Sequence, residues 1–402
     1  MNMQIATSFS VIPDAKLAMI QAYSKVRAQL PGDPHFLVFH ASVANDCEIL
    51  IKTLKELAPQ VPVHGGTSCL GVMTDQGFHS DEESRGMGIL GIFDPEGAYG
   101  MGCVEIGTDI KKSAIAAAHK ALVQANRVGE APAIVWMMTT PGTEEQVIEG
   151  LSEVFGTNVP VAGGSSADND VSGKWKQFEN GKVHQNSVVV SVLFPSSPIT
   201  FSFQGGYDVT ETQAVVTKGG GRVIEELDGK PAAKVYNDWT EGAISEAVNA
   251  GGGNVLMKTS LHPLGRIVGE LGGFPYFQLS HPDSVTANSG LTVFTDVQVG
   301  EKFFLMHGTS DGLVTRSERV VQSALRNAPT LGKVVKGALV IYCAGCMLTV
   351  KEQMPEVVAQ LKSALGKEVP FLGAFTFGEQ GCFFGGENRH GNLMISLLLF
   401  LE

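Results

Sequence analysis

Charge is scarce in this 402-residue chain: Asp, Glu, Lys and Arg make up 17% of it, where about a quarter is usual. Bases are the scarcer sign, 29 Lys and Arg against 41 Asp and Glu, for a net charge of −12. With no Lys/Arg run to offset that balance, general binding to nucleic acid or to an anionic membrane is disfavoured. Cysteine is sparse too, and six residues do not make a disulfide framework in so long a chain. The opening MNMQIATSF lacks the basic region and apolar stretch of a signal peptide. The longest apolar stretches, such as 393–401, fall far short of the roughly 20 residues that span a bilayer. These absences lead us to expect a soluble, cytoplasmic, globular protein.

Catalytic signatures are missing as well. Gly229-Lys230 is followed by Pro231, which breaks a P-loop, and Gly219-Gly220-Gly221 does not extend to GxGxxG. Neither 66–70 (GTSCL) nor 164–168 (GSSAD) closes with the glycine of a nucleophile elbow, and HExxH is absent. Cys343-Ala-Gly-Cys346 is a single CxxC followed by Met347, so it is not a c-type haem motif. A structural zinc site there would need two further ligands.

Glycine, by contrast, is abundant, with 48 residues or about 12% where roughly 7% is usual. It falls within a pattern that recurs three times. The first copy has an apolar strand at 36–39 (FLVF), a cap-like Asn45 with Glu48, helical spacing through Ile49, Leu50, Leu54 and Leu57, then 61–68 (VPVHGGTS) and a strand at 86–93. The second runs through 133–138 (AIVWMM), Thr143 with Gln146, a helix over 147–155, 159–166 (VPVAGGSS) and 187–194. The third runs through 338–343 (ALVIYC), Thr349 with Glu352, a helix over 354–365, 369–379 (VPFLGAFTFGE) and 392–400. Cap and Val-Pro are separated by 16, 16 and 20 residues. A helix between two apolar strands implies a parallel crossover, and the last strand is expected to add by antiparallel pairing. A strand-turn-helix lead-in at 101–126 resembles 301–327, so the second and third copies span about 98–195 and 300–401 and the first is a shortened 33–95. The least regular region, 195–300, holds a helix at 232–239 and a Gly/Pro-rich stretch at 251–282.

The three segments after the Val-Pro strands read as turns at the carboxyl edge of a sheet, where open α/β folds bind ligands. The candidates there are Gly65, Gly66, Thr67 and Ser68; Gly163, Gly164, Ser165, Ser166 and Asp168; and Thr376, Gly378 and Glu379. Glycine lets backbone N–H groups approach a ligand, and the hydroxyls add donors and acceptors. His64, His390, Cys343 and Cys346 are the candidate metal ligands, any one imidazole sufficing as an axial haem ligand.

At these residues the chain resembles the FIST family of sensory proteins. GGTSCLG, AGGSSADND followed by Trp175, and 226–236 (ELDGKPAAKVY) are similar to its N-terminal domain and junction. Cys343, 373–381 (GAFTFGEQG) and the Asn388, His390 and Asn392 group are similar to its C-terminal domain, while Cys346 departs from the arginine expected there. The resemblance implies a small ligand such as an amino acid, with Cys343, Asn388 and His390 joining the contacts. Its stand-alone members imply nitric-oxide sensing through haem b, and a histidine kinase or a diguanylate cyclase or phosphodiesterase as separate partner.

The expectation is therefore an α/β fold in which duplicated strand-helix-strand units form two mixed-sheet domains, 1–225 of FIST N type and 226–402 of FIST C type. Its function is small-ligand sensing rather than catalysis. The alternatives are an enzyme with Cys343 as nucleophile and His390 as base, or an assembly factor that binds a polypeptide through an apolar patch.

Overall fold

The computed structural model describes residues 2–271, 273–328, 334–383, 385 and 387–402. Three six-stranded mixed sheets carry the repeated unit, all with one strand order. In the first sheet Phe36–Ala41 pairs parallel with Val63–Thr67 across the Cys47–Leu57 helix, and antiparallel with the return strand Met87–Phe93. Ile134–Thr139, Val161–Ser165 and Ser187–Phe194 repeat this arrangement, as do Val335–Cys343, Phe371–Thr376 and Ile395–Leu401. The parallel crossover and antiparallel return expected from the sequence are both present.

Each sheet is completed by a hairpin from another repeat. Gln177–Glu179 and Lys182–His184 of the second repeat add to the first sheet beside Val63–Thr67. The third repeat's Glu379–Phe383 and Glu387–Gly391 add to the second sheet, and the first repeat's Val72–Thr74 and Gly77–His79 add to the third. The exchange is closed by three backbone bonds in cyclic order: Ala167 N to Thr67 O at 2.9 Å, Phe377 N to Ser165 O at 3.2 Å, and Cys69 N to Phe375 O at 3.0 Å. The sheets meet on an inner core that draws Phe36, Val38 and Leu90 from the first, Ile134, Trp136 and Leu193 from the second, and Leu339, Ile341 and Leu398 from the third. Each sheet's outer face is covered by its own helices, which supply separate apolar clusters.

Local details depart from the sequence reading. Asp46 caps the first crossover helix, accepting from Ile49 N at 3.0 Å, while Asn45 turns inward to the Ser42 and Gly86 carbonyls. Aspartate, one residue nearer the helix, reaches its open N–H groups. Thr143 is the second N-cap but bonds Thr140 O instead of a helix N–H. Thr349 ends the short helix Ala344–Thr349, and the crossover helix begins only at Met354 with proline in its first turn.

The first repeat is also not shortened. Its lead-in is the strand Gln4–Ser10 and the helix Ala15–Gln29, matching Ala98–Glu105 and Ile110–Gln124. In the third repeat the lead-in strand is Ile199–Gln204, paired with Ile395–Leu401, and not the stretch at 302–307. About 100 residues are inserted between it and the helix Ser310–Arg326. The insert is an eight-stranded sheet that includes Asp208–Leu227, Leu264–Leu271, Phe274–Ser280 and Lys302–His307. Its first helix, Ala232–Trp239, has the span expected. The stretch expected to be irregular is thus mostly strand.

Candidate functional site

The glycine segments expected as turns are the ends of buried strands. Residues 63–69 and 161–168 are all buried. A Cβ at Gly65 would stand 1.9 Å from the Phe39 carbonyl oxygen, and one at Gly163 1.9 Å from that of Met137. At Gly66 it would meet Ser166 Oγ at 2.6 Å, and at Gly164 the Thr376 methyl at 2.5 Å. Glycine here serves the close approach of neighbouring strands, within a repeat at Gly65 and Gly163 and between repeats at Gly66 and Gly164. The hydroxyls are committed as well: Ser68 Oγ accepts from Phe375 N at 2.8 Å and donates to Gly71 O, and Thr67 Oγ1 accepts from Lys176 N at 2.8 Å. Asp168 accepts from the amides of Val171 at 2.6 Å and Lys174 at 2.8 Å, closing its own loop. Asn388 grips the second repeat by accepting from Val161 N and donating to Val159 O, both at 2.8 Å.

Ser165, Gly378 and His390 are brought together with residues that sequence reasoning passed over. Ser165 Oγ donates to Glu144 Oε1 at 2.7 Å and accepts from Gln380 Nε2 at 3.3 Å. Gln380 also faces His390 Nδ1 at 3.2 Å, and His390 Nε2 donates to Phe294 O at 2.9 Å. Arg222 of the insert binds Glu144 at 2.7 Å and Glu145 at 2.6 Å through one nitrogen. Three parts of the chain are thereby clasped: the insert, the second crossover helix and the third repeat's hairpin. Glu144, Glu145 and His390 present ligand atoms within 4.8 Å of one another, but the guanidinium already holds the place of a cation.

Burial opposes ionisation of Glu144, yet His390, Arg222 and the Ser165 hydroxyl hold its carboxyl down to about 2. A carboxyl depressed in the folded state stabilises fully above its unfolded value near 4.5 and loses that contribution as pH falls toward 2. Urea denaturation should therefore lose on the order of 3 kcal/mol between pH 5 and 2 through this group. Glu144→Gln should remove that part of the acid sensitivity.

The other candidate metal ligands lie apart from the clasp and are not assembled into one site. His64 Nδ1 meets Ser191 Oγ at 2.9 Å, and burial with the neighbouring His40 keeps the ring neutral, well below its ordinary range. Cys343 and Cys346 lie at the end of Val335–Cys343, beneath the third sheet's helices. Glu379 accepts from Met394 N and Thr376 Oγ1, each at 3.0 Å, and burial raises its carboxyl well above the usual carboxylate range.

A cavity of about 760 Å³ opens elsewhere, along the lead-in strand Ile199–Gln204. Phe201, Phe203, Tyr207, Tyr276, Phe277 and Phe383 supply aromatic walls, with Leu279, Met306 and Ile199 between them. Phe383 packs edge-on against Phe203 at 5.0 Å and stacks with Tyr276 at 4.9 Å. Ser202, Gln204, Ser323, Asn158 and Asn327 supply neutral polar groups. Among the described residues no Asp, Glu, Lys, Arg or His lines it, and none of the candidates named from sequence does. The alternation in 199–204 (ITFSFQ) is the strand signal that could have marked this wall. Phe383 and Tyr276 come from distant segments and carry no local mark.

Residues 35–230 match the FIST N domain, and residues 232–382 match the FIST C domain. The chain belongs to the FIST family. FIST domains are small-ligand-binding sensory domains, and the mixed α/β fold divides into two domains that match FIST N and FIST C. This FIST chain is 32% identical over 94 residues to an uncharacterized protein of Methanocaldococcus jannaschii, a match covering 23% of the chain and only 18% of that protein. The cyanuric acid hydrolase of A. caulinodans aligns over 99% of both chains at 10% identity, with a TM-score of 0.37. The PurLQS structure from Thermotoga maritima aligns over 100% of this chain and 73% of its own at 10% identity, with a TM-score of 0.24. Among the described residues no helix is long and apolar enough to cross a membrane.

Proposed function

We propose that this FIST protein senses a neutral, ring-bearing small molecule held in the aromatic cavity. The observation that carries the reading is the lining: six aromatic side chains and, among the described residues, not one charged group. Ligand pockets of 300–1,000 Å³ with apolar walls and a few polar groups are the usual kind. A free amino acid brings an ammonium and a carboxylate, both costly to desolvate without opposite charges. The cavity suits an uncharged molecule better than the amino acid implied by the resemblance.

The hairpin Glu379–Phe383 and Glu387–Gly391 offers a path from cavity to surface. Phe383 is in the cavity wall, while Gln380 and His390 of the same hairpin contact the clasp that ends at Arg222. A ligand that stacks on Phe383 would favour one placement of this hairpin and so change what a separate signalling protein meets. The six free thiols suit a reducing compartment, and we place the protein in the cytoplasm.

Thermal shift across a panel of neutral aromatic and heteroaromatic compounds and free amino acids tests the reading. A neutral compound at 100 times its Kd should add about 2.7 kcal/mol of stability, and free amino acids should add none. Stabilisation by amino acids alone would overturn it.

Haem, the cofactor implied by stand-alone relatives, does not fit the donors considered for it. His64, His390, Cys343 and Cys346 are all at most 5% exposed, and none lines the cavity. A Cys343–His390 nucleophile and base fits no better, because both His390 nitrogens are engaged elsewhere and burial holds the Cys343 thiol well above its usual range. Titration with hemin should accordingly give no Soret band that depends on these four residues.

A further inference from the structure

Arg316 lies on the buried face of the Ser310–Arg326 helix and is 3% exposed. Its Nη1 donates to the carbonyls of Gly205 and Leu393, at 2.5 and 2.7 Å, but Nε and Nη2 make no hydrogen bond of good geometry. No carboxylate pairs with it among the described residues. Burying such a charge calls for an anion nearby. After burial, the groups that act most on the guanidinium are Cys346, then Tyr342, whose ring lies 4.8 Å from it, and Tyr207.

Cys346 itself is fully buried and sits three residues after Cys343, across the junction of a strand end and a short helix. The two side chains interact, each shifting the other's ionisation. The Tyr207 hydroxyl meets the Cys346 sulfur at 3.4 Å and donates to Ser260 O at 2.9 Å. Tyr207 also lines the cavity, so one side chain separates the sulfur from that space. The remaining titratable groups nearby are Glu379, whose carboxyl burial raises well above its usual range, and His281 beyond Gly345, whose Nε2 bonds Leu256 O.

We propose that Cys343 and Cys346 form a redox-active dithiol, with Cys346 as the attacking thiolate paired to Arg316 and Cys343 as the resolving thiol. The co-reactant is a small neutral hydroperoxide. The Cys346 thiolate attacks its terminal oxygen, the O–O bond breaks, and alkoxide or hydroxide leaves and takes a proton. Cys346 is then a sulfenic acid, oxidised by two electrons. The Cys343 sulfur attacks the Cys346 sulfur, the S–O bond breaks, and the Cys343 proton leaves with the hydroxide as water. The product is the Cys343–Cys346 disulfide, and a dithiol reductant such as dithiothreitol returns both thiols.

The electrostatics agree with these roles. Burial opposes the Cys346 thiolate, but the Cys343 thiol, the Arg316 charge and the Tyr207 hydroxyl together pull it down to about 6. Burial raises Cys343 well above its usual range, which keeps it a thiol until Cys346 has been oxidised. Cys47 and Cys103, buried without a cation of this kind, are pushed up to about 12 and serve as internal controls.

The test is a time course of the full chain with hydrogen peroxide, quenched by alkylation in denaturant and read by peptide mass spectrometry. The Cys343–Cys346 disulfide should form at least about tenfold faster than Cys47 or Cys103 is modified, and dithiothreitol should reverse it. Its rate should fall about fivefold from pH 6 to pH 5 as the thiolate is protonated. Cys343→Ser should stop at a Cys346 sulfenic acid that dimedone traps. Tyr207→Phe, which keeps the ring, should move the fall in rate to higher pH, and it keeps the test open if the serine variant fails to fold. Oxidation of Cys346 no faster than that of Cys47 and Cys103 would overturn the proposal, as would its oxidation with Cys343 left a free thiol.

Discussion

Alanine at Gly163 should destabilise the protein by at least about 4 kcal/mol, enough to abolish soluble expression in a domain of ordinary stability. The new Cβ would stand 1.9 Å from the Met137 carbonyl oxygen, on the strand that pairs with it, and 2.9 Å from the Met137 nitrogen. Neither atom can yield without breaking the parallel pairing of Ile134–Thr139 with Val161–Ser165. The residue's φ of +148° adds backbone strain that glycine escapes. Gly107, with nothing within 4 Å of its added Cβ, is the control, and Gly107→Ala should change stability by less than about 0.5 kcal/mol. Urea denaturation of the two variants, or soluble yield where unfolding is complete, makes the comparison.

Arg222→Met should cost about 3–5 kcal/mol at pH 7, because it removes the cation and leaves Glu144 buried with an uncompensated charge. Glu144 is 1% exposed, and the Arg222 nitrogen is within 2.7 Å of both its carboxylate and that of Glu145. Arg222 itself is driven further up by the two carboxylates despite the opposing cost of burial. Adding Glu144→Gln to Arg222→Met should recover most of the loss, since the buried charge goes with its partner. Equal losses in the single and double variants would mean that the clasp acts by packing and not by charge.

The repeated unit was legible because each copy must bury the same faces. Apolar runs at 36–39, 133–138 and 338–343, and helical stripes such as Leu50 and Leu54 or Val357 and Leu361, follow from local geometry and recur with it. The glycine segments were located correctly but misread in kind. A strand that another backbone must approach and a tight turn both call for residues without side chains, and only the pairing partner tells them apart. That partner, Phe39 for Gly65 or Ser166 for Gly66, comes from another strand or another repeat. The third lead-in strand was missed because an insert of about 100 residues separates it from its helix. The cavity was hidden for a similar reason, drawing its walls from residues as far apart as Asn158 and Phe383. Arg316 did leave a trace: a cation in line with Leu313, Val320 and Ala324 on one helical face is a buried charge announced by periodicity.

The most direct test of the ligand site is titration with N-phenyl-1-naphthylamine, an uncharged two-ring fluorophore, of the native protein and of Ser323→Phe. Ser323 lies on the cavity wall and is only partly buried, so phenylalanine there fills the space at the cost of one hydrogen bond from Gln204. The native protein should bind one equivalent with rising fluorescence, and the variant should bind at least about tenfold more weakly. Equal affinity in both proteins would place the ligand somewhere other than this cavity and contradict the account.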